Sequence, residues 1–185
     1  QQREAVAFGK RNLARFVIRG HEDQRFVRVL RIKRQGRADG FVEIEHLGDE
    51  RARETVQQCL QVMKQATENF GGTVIKTMGD EAMSTFPSAD DALNAANQMQ
   101  QRISNTVRID AQGTHVAIRI GCHYGAVQVE ERDISGVAVH TANSMTSQAK
   151  AGQILTTSAV VEQLSPQWKA LVRQIDVATP KGQSD

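Results

Sequence analysis

Residues 71–86 read GGTVIKTMGDEAMSTF and carry the clearest local structural signal in the chain. Two short runs, residues 73–77 and 82–86, have the composition of strands, and the residues between them include a glycine. This pattern predicts a β-hairpin with its turn at residues 78–81. Because proline cannot donate a hydrogen bond to a strand ladder, the second strand is predicted to end at Pro87.

Amphipathic helices are predicted on both sides of this hairpin. Before it, apolar residues within residues 52–70 recur at spacings of three, four and seven, which indicates a helix of about 19 residues that begins near Glu50. The glycines at 71 and 72 end this helix. After the hairpin, the hydroxyl of Ser88 and the carboxylates of Asp90 and Asp91 indicate a helix start, because they bind free N–H groups and favour the positive end of the helix dipole.

Further along the chain, helix patterns continue to alternate with strand patterns. The predicted order is a second hairpin (115–124 with 126–131), a third helix ending near residue 149, a strand (153–157), a helix (160–164) and a closing strand pair (170–177). Two earlier strands are predicted at 26–33 and 41–45, paired with each other. This alternation favours the α+β class, with one sheet covered by helices on one face.

Length and composition limit the remaining possibilities. The 185 residues are 39% apolar and 24% charged, which is typical of one globular domain. No apolar run approaches the roughly 18 residues of a membrane span, so no membrane contact is expected within this segment. The lone cysteines, Cys59 and Cys122, and the lack of a secretory pattern favour a cytoplasmic location. A chain that begins with Gln1 is compatible with a piece of a longer protein.

The net charge of +2 conceals an uneven distribution. Residues 1–40 hold 11 basic and 4 acidic side chains, whereas residues 41–185 hold 12 basic and 17 acidic ones. Such a basic arm can bind nucleic acid or an anionic membrane surface, or it can pair with acidic strands and face solvent. Apolar residues recur at regular intervals in this arm, which favours a strand with a solvated face, so we expect no nucleic-acid partner. Residues 1–24 are interpreted as a basic N-terminal extension or linker.

Residues 71–83 strongly resemble the hairpin of class III nucleotide cyclases, the family of adenylate and guanylate cyclase domains. Residues 118–127, 133–139 and 149–155 follow the order and spacing of the same family. The resemblance is clear from about residue 47, and it implies a domain over residues 25–185. The implied fold is a ferredoxin-like core with a mainly antiparallel sheet, helices packed on it, and a head-to-tail dimer.

The resemblance also implies roles for individual residues. In such a dimer one subunit supplies carboxylates for Mg²⁺ or Mn²⁺, and the other supplies purine-reading and transition-state residues. Lys76 and Asp133 match the adenine-reading positions and indicate ATP rather than GTP; without the family context they fit a strand lysine and a turn carboxylate. Asp80 matches a metal-binding aspartate, where hard oxygen suits magnesium, although it also fits an ordinary turn residue.

Three positions depart from the family pattern. His140 replaces the asparagine that orients the ribose, and Ser144 replaces the arginine that contacts the transition-state phosphate, a contact worth about 10³–10⁵ in rate. His140 can donate a hydrogen bond to phosphate, or it is a tolerated substitution. Lys33 occupies the position of the first metal-binding aspartate, where it would repel magnesium. Asp39 is the alternative ligand under a shortened alignment.

These observations predict a cyclase-like domain that dimerises and binds an adenine nucleotide with Mg²⁺ or Mn²⁺. Its partner is a second copy or another cyclase-like chain. With the substitutions above it would turn over slowly or not at all and serve as a regulatory module in signalling. The alternative is a working adenylate cyclase that converts ATP to cyclic AMP and pyrophosphate.

Overall fold

The computed structural model describes residues 3–8, 17–18, 26–32, 49–107, 116–130 and 133–178. Within these ranges the chain forms ten strands and five helices, which confirms the α+β class. In chain order they are β1 (Arg3–Phe8), β2 (Val17–Ile18), β3 (Phe26–Ile32), α1 (Asp49–Asn69), β4 (Thr73–Met78), β5 (Glu81–Phe86), α2 (Ala89–Thr106), β6 (Ile118–His123), β7 (Gln128–Glu130), β8 (Asp133–Ser135), α3 (Val137–Gln148), β9 (Ile154–Thr157), α4 (Ser158–Gln163), α5 (Pro166–Lys169) and β10 (Val172–Ala178).

Eight of the described strands form one sheet in the order β10-β1-β9-β6-β3-β5-β4, with β2 also paired to β3. Neighbouring strands run antiparallel, except that β6 and β9 are parallel. The short strands β7 and β8 form a separate antiparallel ribbon. Part of the predicted N-terminal extension contributes to the main sheet, since β1 pairs with β10 and β9.

The hairpin predicted at residues 71–86 is confirmed. β4 and β5 pair antiparallel, and Met78 lies opposite Glu81 at the end of the ladder. Gly79 has a φ of 57° in the turn between them, a conformation that costs glycine little because it has no Cβ. The helices on either side also form as predicted, and the hydroxyl of Ser88 accepts a hydrogen bond from the Asp91 backbone N–H at 3.0 Å.

Two other predicted pairings are wrong. β6 pairs with β3 and β9 in the main sheet, whereas β7 pairs with β8, so the second predicted hairpin does not form. The closing strand pair predicted at 170–177 is a turn at residues 170–171 followed by the single strand β10. The predicted strand at 41–45 and residue 115 lie outside the described residues.

Helices cover both faces of the sheet, so the prediction of one covered face is also wrong. On one face, Ile118, Ile120 and Cys122 of β6 are buried in a cluster with α1 and α2 residues. Alternate residues of a strand point to opposite faces. Gly121 therefore faces the other side, where the backbone of α3 lies against it.

Buried polar contacts help to hold α1 and α2 against the sheet. The Gln100 side chain of α2 donates to the carbonyl of Ile118 at 3.0 Å, and the hydroxyls of Thr67 and Ser84 lie 3.3 Å apart. Such contacts leave few buried groups unsatisfied beneath the helices. No helix in the described part of the chain combines the length and hydrophobicity that a membrane span requires.

Candidate functional site

The structure brings Lys76 and Asp133 together, although 57 positions separate them in the sequence. Lys76 lies in β4, and Asp133 begins β8. Lys76 Nζ lies 2.5 Å from Asp133 Oδ1 and 2.5 Å from Oδ2. The ammonium group thus bridges both carboxylate oxygens.

Apolar packing holds the two strands at this separation. Ile75 precedes Lys76, Ile134 follows Asp133, and both isoleucines pack in one cluster with Met83. Because adjacent residues in a strand point to opposite faces, the isoleucines anchor the strands while the charged side chains point away from the cluster. The side chain of Lys76 is 28% exposed and that of Asp133 is 45% exposed, so the pair is accessible from solvent.

The electrostatic surroundings of Asp133 keep its carboxylate ionised at neutral pH. The hydrogen bond from Lys76 and one from the Ile134 backbone N–H, which donates to Oδ1 at 2.7 Å, lower the pKa of this carboxyl below its ordinary value. The pair therefore presents a donor beside an acceptor. The Watson–Crick edge of adenine offers an N1 acceptor beside an N6 donor, and that of guanine an O6 acceptor beside an N1 donor. The arrangement suits the edge of either purine.

Asp80 lies in the turn between β4 and β5 and is partly buried. β3 runs antiparallel to β5, with Phe26 opposite Phe86. Ile32, at the end of β3, consequently lies at the same end of the sheet as this turn.

Among the described residues, Asp80 is the carboxylate that the resemblance assigns to metal binding. Mg²⁺ requires near-octahedral oxygen coordination, usually with one or two protein carboxylates per ion. In the described ranges, no group of three or more His, Cys, Asp or Glu side chains could hold a metal ion. Lys33 and Asp39, the two residues considered for the first metal position, lie outside those ranges.

His140 and Ser144 lie one helical turn apart on the exposed face of α3. Ser144 Oγ accepts a hydrogen bond from Gln148 Nε2 at 3.1 Å. α3 contains no Lys, Arg, Asp or Glu. This helix face has no permanent cation with which to bind a phosphate.

Gly121 sets how closely α3 approaches the sheet. A Cβ atom at this position would lie 2.1 Å from Thr146 Oγ1, 2.4 Å from Thr146 N and 2.6 Å from Ala142 O. The sequence pattern predicts Gly121 beside the bend of the second hairpin, whereas the structure has it inside β6. A glycine inside a strand pattern was the available signal, because it often marks a close approach of another backbone.

A cavity of about 630 Å³ lies at the carboxyl end of β6, beside the first residues of α3 and α4. Its lining comprises residues 123–126, 137–138, 157–159 and Glu162. None of the predicted site residues that the structure describes belongs to this lining. The Lys76–Asp133 ion pair therefore lies outside this cavity.

The comparisons with known proteins agree with this architecture. The sequence model of the adenylate and guanylate cyclase catalytic domain matches residues 39–183. An adenylate cyclase from Streptomyces coelicolor is 33% identical over 94 residues, which are 51% of this chain and 23% of that protein. The chain thus spans less than a quarter of this relative.

Solved cyclase structures have the same fold. One is the catalytic core of a rhodopsin-guanylyl cyclase with converted specificity in complex with ATPαS (TM-score 0.61, 20% identity, covering 90% of this chain and 84% of that one). Another is an adenylate/guanylate cyclase/hydrolase from Silicibacter pomeroyi (TM-score 0.59, 22% identity, covering 76% and 80%). Since the family's sequence model also spans well over half of the chain, the chain belongs to the adenylate and guanylate cyclase catalytic-domain family.

Proposed function

We propose that this chain binds an adenine nucleotide, dimerises, is catalytically impaired and acts as a regulatory or partner module in cytoplasmic signalling. The observation that carries the proposal is a contrast between two parts of the site. Lys76 and Asp133 form an assembled donor–acceptor pair. His140 and Ser144 stand on α3 where the family pattern has an asparagine and an arginine.

Nucleotide binding is supported by the position and chemistry of the ion pair. Its side chains are partly exposed, and the apolar cluster beneath them holds their strands in place. A purine edge that enters this position meets one donor and one acceptor. The choice of adenine comes from the resemblance, and the similar rhodopsin-guanylyl cyclase core with converted specificity was solved with an ATP analogue.

Impaired catalysis is supported by the absence of a permanent cation on α3. Phosphoryl transfer develops negative charge around the phosphorus, and an arginine that stabilises this charge contributes about 10³–10⁵ in rate. A serine hydroxyl donates one neutral hydrogen bond and cannot replace a guanidinium group.

The partner is proposed to be a second copy or another cyclase-like chain in a head-to-tail dimer. In such a dimer each nucleotide site combines residues of both chains, and a more complete partner supplies the catalytic residues that His140 and Ser144 replace here. The cation expected with the nucleotide is Mg²⁺ or Mn²⁺.

The test is to titrate the purified chain with ATP in the presence of Mg²⁺ or Mn²⁺ and to measure both binding and cyclic AMP. We expect saturable ATP binding without detectable cyclic AMP. Lys76→Met removes a charged hydrogen-bond donor, so ATP binding should weaken about tenfold or more. The matched control is Lys64→Met, because Lys64 is an exposed lysine of α1 whose ammonium nitrogen lies 3.9 Å from Glu68 Oε1.

Two outcomes would contradict parts of the proposal. If ATP does not bind, or if the two lysine variants bind ATP equally well, the base-recognition role is wrong. If cyclic AMP forms readily and disappears in Asp80→Ala, catalytic impairment is wrong.

The second candidate function is a working adenylate cyclase that makes cyclic AMP and pyrophosphate from ATP. The observation in its favour is the match to a protein named adenylate cyclase. This candidate predicts cyclic AMP formation by the chain alone, or when it is mixed with a complete cyclase domain whose own sites have been inactivated.

A further inference from the structure

β6 and β9 are neighbouring parallel strands, and the chain leaves their carboxyl ends towards opposite faces of the sheet. After β6 it passes through the β7–β8 ribbon to α3, which lies on the face of Gly121. After β9 it enters α4 directly, and Val160 and Leu164 of α4 pack in the cluster on the other face. Connections that diverge in this way leave a crevice beyond the strand ends, and ligands commonly bind in such a crevice.

The cavity of about 630 Å³ lies in this crevice. Its lining comes from residues 123–126 at the end of β6, 137–138 at the start of α3, 157–159 where β9 meets α4, and Glu162 of α4. Small-molecule sites in proteins have volumes of roughly 300–1,000 Å³. The position and the size of the cavity therefore suit a small organic molecule.

His123 and Thr157 supply polar groups that are held in place without a ligand. Both residues are buried, with exposed fractions of 9% and 3%, and His123 Nδ1 lies 2.8 Å from Thr157 Oγ1. The hydrogen bond between them fixes the imidazole ring and the hydroxyl group. A site whose polar groups are already ordered loses less free energy to ordering when a ligand binds.

The charge of the lining indicates the class of ligand. Glu162 is the one carboxylate among the lining residues, which include no lysine or arginine. It lies one helical turn after Ser158, so the two side chains share a face of α4. The Glu162 carboxylate makes no ion pair with another residue that the structure describes. An anion would be repelled here, whereas a protonated amine would gain a charge-assisted hydrogen bond.

Apolar groups form much of the remaining lining, and they suit the body of such a ligand. They are the ring of Tyr124 and the side chains of Ala126, Val137, Ala138 and Ala159. Val137 is 71% exposed. A ring or a short alkyl group that covers these side chains removes apolar surface from water, which favours binding.

We propose that this cavity binds a small organic cation, a protonated amine on a compact apolar body, with Glu162 receiving the ammonium group. Neither Lys76 nor Asp133 lines the cavity. The inference therefore goes beyond the proposed function and does not depend on it.

The experiment is an NMR titration of the full 185-residue chain with three probes of similar size and different charge. The probes are phenethylamine, phenethyl alcohol and phenylpropionate. We expect the amine to shift the amide signals of residues 123–126, 137–138 and 157–159 in a saturable way. Because a partly solvated charge pair contributes little free energy, the alcohol should bind about two- to fivefold more weakly than the amine, and the acid more weakly still.

Two variants separate the carboxylate from the cavity itself. Glu162→Gln removes the charge, so it should weaken binding of the amine about two- to fivefold and leave binding of the alcohol unchanged. The matched control is Glu54→Gln at an exposed position of α1, which should bind both probes like the parent. Ala159→Leu places a larger side chain in the cavity and should weaken binding of both probes.

Each result decides one part of the inference. If the amine binds no more tightly than the acid, or if Glu162→Gln and Glu54→Gln bind it equally well, recognition of a cation is wrong. If Ala159→Leu folds and binds the amine as tightly as the parent, the cavity is not the site; if it does not fold, Glu162→Gln decides. If none of the probes shifts these amides, the inference is overturned, and the ATP titration still tests the proposed function.

Discussion

Gly121→Ala introduces a methyl group at the closest contact between α3 and the sheet. The new Cβ would lie 2.1 Å from Thr146 Oγ1, 2.4 Å from Thr146 N and 2.6 Å from Ala142 O. Rotation of the threonine side chain relieves only the first contact. The other two atoms belong to the helix backbone, so the whole helix must move.

The size of this movement sets the expected destabilisation. Ordinary van der Waals contact begins near 3.4 Å, and the Thr146 N contact at 2.4 Å falls short of it by 1.0 Å. Overpacking of a folded core costs about 1–3 kcal/mol. Because a rigid helix must shift, we expect a loss of at least about 3 kcal/mol, which lowers the melting temperature of a domain of this size by about 6–12 °C.

Thermal unfolding followed by circular dichroism measures this loss, with Gly152→Ala as the matched control. Gly152 has a φ of 72° but no atoms within 4 Å of an added Cβ, so alanine there costs only the backbone strain of about 1–2 kcal/mol. A double variant with Thr146→Ala should recover little stability. If Gly121→Ala melts no lower than Gly152→Ala, the close approach of α3 to β6 is wrong.

Three further predictions concern individual groups. The pKa of Asp133 is lowered, so its ion pair stabilises the fold at pH values above the ordinary carboxyl pKa of 3.8. The difference in melting temperature between the parent and Asp133→Asn should therefore shrink as the pH falls from about 5 to about 2. Burial raises the pKa of the Cys59 thiol to about 12, so a disulfide reagent at about pH 8 should modify Cys59 only after the chain is unfolded. The double variant His140→Asn, Ser144→Arg changes two exposed positions and should melt within about 2 °C of the parent. Cyclic AMP, measured by mass spectrometry, should be detected only when Lys33→Asp is added to this variant.

The part of the fold that the sequence predicted correctly depends on interactions between near neighbours. The β4–β5 hairpin has its glycine in the turn, where φ is positive. α2 begins where Ser88 caps a free backbone N–H. These signals act within a few residues, and the surrounding structure does not override them.

The incorrect predictions concern partners that are distant in sequence. The glycines at 121 and 125, on either side of the predicted bend, favoured a hairpin between β6 and the next strand, but β6 lies inside the sheet between β3 and β9. The apolar pattern of α3 shows which side of the helix is buried, but it does not show which face of the sheet receives it. Gly121 indicates the receiving face, since its missing side chain leaves room for the helix on the face opposite Ile120 and Cys122.

In the candidate site, too, local signals were readable from the sequence and long-range contacts were not. The resemblance identified Lys76 and Asp133 as members of one site, but their direct bond could not follow from spacing, because β4 and β8 do not pair with each other. Their contact depends on Ile75 and Ile134 sharing a cluster with residues of α3 and β5. Sequence patterns indicated that these positions are apolar, and only the tertiary structure shows that they pack together.

Under the proposed function, this chain retains base recognition but lacks transition-state stabilisation, and the two depend on different elements of the fold. The donor–acceptor pair is held by β4 and β8, whereas His140 and Ser144 lie on the exposed face of α3. Replacing those exposed residues removes no core packing, so the fold and the base position can persist after the phosphate contacts are lost. A cyclase-type fold with a purine-binding pair is therefore compatible with a regulatory role, and membership of the family does not by itself establish turnover.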